Sequence, residues 1–138
     1  MKRIIAIDYG DARTGVAVSD LTGTLAGEAL TIQEWNAEKL AQRLAFFARE
    51  RDAEKFVLGL PKNMDGTEGP RAEKARQFKA LLEEASGLPV ILWDERRSTI
   101  EAHAILHAAG KKEKKHRANV DAVAATLLLE GYLASPTR

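Results

Sequence analysis

Apolar residues open the chain as an unbroken run, Ile4-Ile5-Ala6-Ile7, that stops at an acid, Asp8. Such a run fits a strand buried on both faces, so the carboxylate after it falls where the core meets solvent. Gly10 follows closely and, lacking a Cβ, is expected to take the backbone angles that reverse the chain. Thr14-Gly15-Val16-Ala17-Val18 then predicts a second strand, hairpinned onto the first across Asp11-Ala12-Arg13. Asp20-Leu21-Thr22-Gly23 supplies a turn, and residues 24–32 predict a third strand. Its alternation is imperfect, because Glu28 shares a side with Ala26, Leu30 and Ile32, which fits an edge position or a bulge at Gly27. The three strands read as an antiparallel meander.

Helical periodicity takes over next. Asn36 is placed as a helix cap, with Trp35 before it and Leu40 inside at the spacing of a hydrophobic staple. Trp35 is therefore expected in the core rather than as a base-stacking platform. Leu40, Leu44, Phe47 and Ala48 carry the helix to about Arg51. Lys55 to Leu60 predicts a fourth strand, cut by Pro61, and Pro70 suits the first turn of a helix lined by Ala75, Phe78, Leu82 and Ala85. Gly87 and Pro89 end it. Val90 to Trp93 is a fifth strand, again closed by acid, Asp94-Glu95. Ser98 to Glu101 fits a capping box for a helix buried through Ala102, Ile105, Leu106 and Ala109. The basic run from Lys111 to Arg117 has no apolar period and reads as a mobile loop. A last helix is expected from Asn119, with Val120, Val123, Ala124, Leu127 and Leu128 on its buried face and Asp121 at that face's border, in the first turn.

A meander followed by alternating helix and strand gives an α/β fold, a five-stranded mixed sheet with helices on both faces. Right-handed crossovers put the first strand in the middle, making Asp8 the central acid. With 138 residues the chain fits a single domain, 1–138, and shows neither an internal repeat nor a linker.

Composition changes this picture little. A net charge of +1 gives no global pull on nucleic acid, so only local clusters of Lys and Arg bear on that partner. Without cysteine, disulfides and thiolate metal sites are excluded, and a reducing compartment is expected. The first apolar run is too short for a signal peptide and no run reaches membrane-spanning length, so a cytoplasmic protein is expected.

The candidate chemistry lies in acids at element ends. Asp8, the Asp94-Glu95 pair and Asp121 are brought toward one sheet edge, where clustered carboxylates repel unless a cation offsets them. Oxygen-only donors favour Mg2+ or Mn2+, ions that activate water in phosphodiester cleavage. Each acid also has an ordinary explanation: Asp121 favours the helix macrodipole, and Asp94 and Glu95 can pair with Arg96 and Arg97. A cationic arm of Lys111, Lys112, Lys114, Lys115 and Arg117 beside such a centre suits a phosphate-rich polymer, with Lys62 and Asn63 adding phosphate or sugar contacts. His103 and His107 stand four apart on one predicted helix but lack a third metal ligand, and they read, like His116, as exposed bystanders.

At this point the motifs take on a family likeness. Asp8-Tyr9-Gly10 with Arg13-Thr14-Gly15-Val16-Ala17, Gly59-Leu60-Pro61 with Asn63-Met64-Asp65-Gly66-Thr67, Asp94-Glu95-Arg96 with Ser98-Thr99, and Val120-Asp121 with Ala124-Ala125 resemble the YqgF (RuvX) family in order and over nearly the whole chain. The resemblance implies an RNase H-like fold, a nuclease that trims the 5′ end of pre-16S rRNA in ribosome biogenesis, and Asp8, Glu95 and Asp121 as catalytic acids. Members are also described as Holliday-junction-resolvase-like. Two departures stand out: Asp11, Ala12 and Thr14 replace the lysine and branched apolar residue usual around the first-motif arginine, and the middle acid must reach across from the fifth strand. Gly59 leaves room for that reach and glutamate is longer than aspartate, which favours Glu95, although Asp94 stays open as a ligand.

The leading expectation is thus a metal-dependent endonuclease on structured RNA, with Arg13 and the basic loop positioning the backbone. A resolvase of branched DNA would need a homodimer for symmetric cutting, whereas RNA trimming would serve a monomer. A ribosome-assembly module that binds RNA without cutting it is a third expectation, and a ribosomal precursor particle is a candidate partner. A sugar-kinase-like ATPase fits the Asp8 hairpin alone, but it requires a second sheet domain and a phosphate loop that this chain lacks.

Overall fold

The computed structural model describes residues 2–95 and 117–135. Arg96, the predicted helix over 98–109 with its capping box, the three histidines and the basic run 111–116 lie outside the described residues. Within them the order is β1 (Arg3–Asp8), β2 (Arg13–Ser19), β3 (Ala26–Gln33), α1 (Ala37–Glu50), β4 (Ala53–Leu60), α2 (Pro70–Ser86), β5 (Val90–Asp94) and α3 (Arg117–Ala134).

The five strands form one sheet in the order β3-β2-β1-β4-β5. β1 pairs antiparallel with β2 and parallel with β4, and β5 runs parallel to β4. β1 is therefore central, and its end at Asp8 shares an edge with the ends of β4 and β5. β3 is an edge strand whose register with β2 slips between Ala17 and Ser19, opposite Ala29 and Ala26, a bulge around Gly27.

Strand parity divides the core. Ile5, Ile7, Phe56, Leu58 and Val90 face α1 and α2, joined by Leu44, Phe78 and Leu82. Ile4, Ala6, Val57 and Trp93 face the other way, against Ala125, Leu128, Leu129 and Tyr132 of α3. Trp93 meets Tyr132 edge-on at 5.3 Å, and the Tyr132 hydroxyl accepts a 3.1 Å hydrogen bond from Lys55 Nζ. That contact ties α3 to β4 and β5.

Several expectations need correction. Asn36 does cap α1, its Oδ1 accepting from Lys39 N at 2.9 Å, but Trp35 is 81% exposed and no staple forms. Ala37 packs against the core in its place. Gly10 does not adopt a left-handed conformation; a Cβ there would instead strike the Arg13 carbonyl across the tight hairpin. α3 starts before Asn119, so Asp121 lies in its second turn. The buried face of α3 is Ala125, Leu128, Leu129 and Tyr132, rotated from the predicted stripe; Val120, Val123, Ala124 and Leu127 are half-buried. This helix is apolar nearly all round, so periodicity alone does not select a face.

Candidate active site

Asp8 follows Ile4 and Ala6 by strand parity and so faces α3. Its partner across the β1–β2 ladder is Gly15, and a Cβ at Gly15 would land on the Asp121 carbonyl. A side chain at this position would hold α3 off the sheet; glycine lets the helix settle onto β2, which carries Asp121 beside Asp8. On the other flank, Gly59 of β4 pairs with Trp93. A Cβ at Gly59 would collide with Oε1 of Glu95. The Glu95 side chain thus crosses over β4 through the space a missing side chain leaves, and it hydrogen-bonds Asp8. Asp94 follows Leu92 and Val90 toward the opposite face and acts on Glu95 as a neighbouring negative charge.

Two carboxyl groups share a hydrogen bond only when one holds a proton. Burial, then the charges of Glu95 and Asp121, push Asp8 up to about 7. Burial also raises Glu95, while its hydrogen bond from Asp8 and the charge of Arg71 pull it back. The pair therefore holds one proton between its two carboxyl groups, both of which burial pushes upward. Among the described residues no three His, Asp or Glu side chains form a ready-made metal cage. Even so, the donor set is all oxygen, repulsive when ionised and held together by a proton that a cation can replace, which fits a hard divalent ion.

A small cleft opens at this edge, lined by Asp8, Glu95, Gly59, Arg71 and Lys74 among others. Arg71 stands in the first turn of α2 and Lys74 directly after it, near the helix start where cations oppose the dipole. Sequence reading passed over both; misplaced charge after Pro70 was the available signal. Arg71 lowers the proton affinity of both Asp8 and Glu95. Lys74 Nζ meets Asp11 Oδ1 at 3.1 Å, so the unusual acid of the first motif is neutralised by α2. Tyr9, stacked on Phe78 at 4.3 Å, pins the chain just after Asp8.

The other sequence candidates fall as follows. Arg13 opens β2 opposite Gln33 at the same edge. Lys62 is half-buried; with the hydrogen-bonding Arg76 as the main cause, it helps hold Glu68 below the usual carboxylate range. Asn63 is occupied in closing its own loop, donating through N to the Thr67 carbonyl at 2.8 Å and through Nδ2 to Thr67 Oγ1 at 2.9 Å. Arg117 opens α3.

A mixed sheet with acids at the end of its central strand defines an RNase H-like nuclease fold of the RuvC kind. Solved structures agree: Thermus thermophilus RuvC superposes with a TM-score of 0.60 at 13% identity over 94% of both chains. A fowlpox virus resolvase bound to Holliday junction DNA gives 0.59 at 16% identity over 99% of both chains. The family model described as "RuvX: Holliday junction resolvase" matches residues 2–135. Curated relatives named "Putative pre-16S rRNA nuclease" include those of Halothermothrix orenii, 43% identical over 95% of this chain and 94% of the relative. Another, from Geobacillus, is 43% identical over 96% and 98% respectively. The chain belongs to the RuvX family of nucleases.

Proposed function

We propose that this protein is a metal-dependent endonuclease that hydrolyses phosphodiester bonds in structured RNA, acting on the 5′ end of pre-16S rRNA in the cytoplasm. The observation that carries the reading is the Asp8–Glu95 carboxyl pair, half-buried at the end of the central strand with Asp121 beside it. The relatives' printed name supports the RNA substrate.

Asp8, Glu95 and Asp121 are the residues that would hold Mg2+ or Mn2+, with Asp94 biasing Glu95 from the adjoining position. When bound, such an ion lowers the pKa of a water and offsets charge on the attacked phosphate. The protein's own part is to keep the carboxylates together and to give up the proton that Asp8 and Glu95 share. Gly59 keeps the path of Glu95 clear, and Gly15 sets Asp121 at the correct depth. Arg71 faces the pair and is placed to receive a backbone phosphate, with Lys62 and Arg13 along the same edge.

The test is cleavage of a pre-16S 5′-leader RNA and a four-way DNA junction, each with Mn2+, Mg2+ or chelator, by wild type and Asp8→Asn. Metal-dependent cutting of the RNA, absent in the variant, is the expected result. Cutting of the junction alone would establish the resolvase reading that the family description favours. An Asp8→Asn protein as active as wild type would overturn the site.

A further inference from the structure

The two most exposed large apolar side chains among the described residues are Met64, 92% exposed, and Trp35, 81% exposed. Both lie at the sheet edge that carries the acids. β3 runs parallel to β1, so Gln33 and the corner after it sit at the same end as Asp8. The loop carrying Met64 leaves the end of β4 at that end too. Trp35 lies beyond β3 and Met64 beyond β4, with the Asp8–Glu95 pair between them.

The corner at Trp35 is rigid. Glu34 N donates to the Ala12 carbonyl at 2.9 Å, and Asn36 on the other side caps α1. Arg43 Nη1 donates to the Gln33 carbonyl at 3.0 Å and to Glu34 Oε1 at 3.4 Å, so Glu34 is neutralised there. Arg13, opposite Gln33, brings positive charge to the same corner. An uncovered indole next to a hydrogen-bonded corner, at an edge that also carries Arg13, has the parts of a stacking platform for a nucleobase. Asp8 faces Gly15, and Gly15 faces Thr31, so Trp35 lies about 15 Å from the acids by strand spacing and rise. An extended single strand covers that span in a few nucleotides.

Building on the nuclease reading, we infer that Trp35 stacks a base of a single-stranded segment laid across this edge, while Met64 borders the same path on the far side of the acids. Duplex RNA, whose bases are already stacked, would gain nothing from it. The platform therefore selects substrates with an unpaired stretch near the cut.

Binding is measured by anisotropy of a labelled single-stranded RNA, and of a blunt RNA duplex, in chelator so that nothing is cut. Trp35→Ala is expected to weaken single-strand binding roughly tenfold and to leave duplex binding unchanged, with Trp35→Phe restoring most of the loss. Acrylamide quenching adds a direct readout, since Trp93 is buried and only Trp35 is open to the quencher. Single-stranded RNA should shield wild-type fluorescence from acrylamide and lose that effect in Trp35→Phe. Equal single-strand affinity for Trp35→Ala and wild type overturns the inference. So does a loss that Phe does not restore, or an effect of Trp35→Ala on self-association alone. The nuclease reading is tested separately by Asp8→Asn: Trp35-dependent binding without Asp8-dependent cleavage would keep the platform and remove the chemistry.

Discussion

At the scale of single residues, the proton shared by Asp8 and Glu95 governs how the site responds to pH. A carboxyl that titrates near 4 in the unfolded chain and at about 7 in the fold keeps its proton on folding between those values. The folded state then binds more protons than the unfolded one, so stability falls as pH rises from about 4 to about 7. Metal-free wild type should therefore show a Tm that declines across this window, a decline Asp8→Asn should lack. Adding Mn2+ should raise Tm more at pH 8 than at pH 5, because the ion requires the carboxylates ionised. Equal metal shifts at both pH values would mean that the ion binds elsewhere. The chain alone left Asp94 and Glu95 both open, and strand parity in the fold separates them. Counting by twos from Trp93, whose side the α3 cluster fixes, lands on Glu95, and the same count from Ile4 lands on Asp8. Side-chain length points to the same residue by a weaker route. Arg71 was harder to see, since its relevance depends on a crossover that brings the start of α2 over the ends of β1 and β4.

At the scale of elements, two glycines in neighbouring strands do different work. At Gly59 an added methyl meets the far end of a flexible side chain; at Gly15 it meets the backbone of α3. Gly59→Ala should leave stability within about 1 kcal/mol of wild type while swinging Glu95 aside. Its activity should drop on the order of a hundredfold, as for a misplaced catalytic group. Gly15→Ala should cost about 1–3 kcal/mol or more, because the helix must lift as a unit. Urea denaturation beside cleavage assays separates the two, and identical stability losses would contradict this assignment. Local pattern sufficed for β1, β2, α1 and α2 because the strands are unbroken runs buried on both faces, the helices have one apolar stripe, and all four have clear punctuation. It failed for α3, whose face was chosen by the fit of small Ala125 and long Tyr132 against β2 and Trp93. It failed for Trp35 too, since a staple was inferred from spacing alone while the Glu34–Ala12 bond sets the corner.

At the scale of the whole molecule, a net charge of +1 leaves little long-range pull on a polyanion, so binding rests on cations gathered at one edge. Arg71 is central to that edge. If it takes a phosphate, Arg71→Ala should reduce the steepness of log K against log salt by about 0.7 for a single-stranded RNA. An unchanged slope would restrict Arg71 to tuning the acids. The sheet order was recoverable from crossover handedness, and with it the gathering of Asp8 and Glu95 at one edge. The depth at which α3 seats was not, because it follows from a contact between residues far apart in sequence.

The strand order has one more result for the working enzyme. Asp8 sits on the strand most enclosed by neighbours, whereas Glu95 comes from β5, the outermost strand on its side. Marginal strands fray first, and amide exchange commonly reports their opening well before the centre gives way. The carboxyl pair thus joins the central strand of the sheet to one of its two outer strands. Partial melting would take away one member and leave the other in place. Cleavage should accordingly fail at lower urea than the loss of far-ultraviolet circular dichroism, and coincident midpoints would show β5 to be as durable as β1. In such a protein the ceiling on working conditions is set at the periphery, not by the strength of the core.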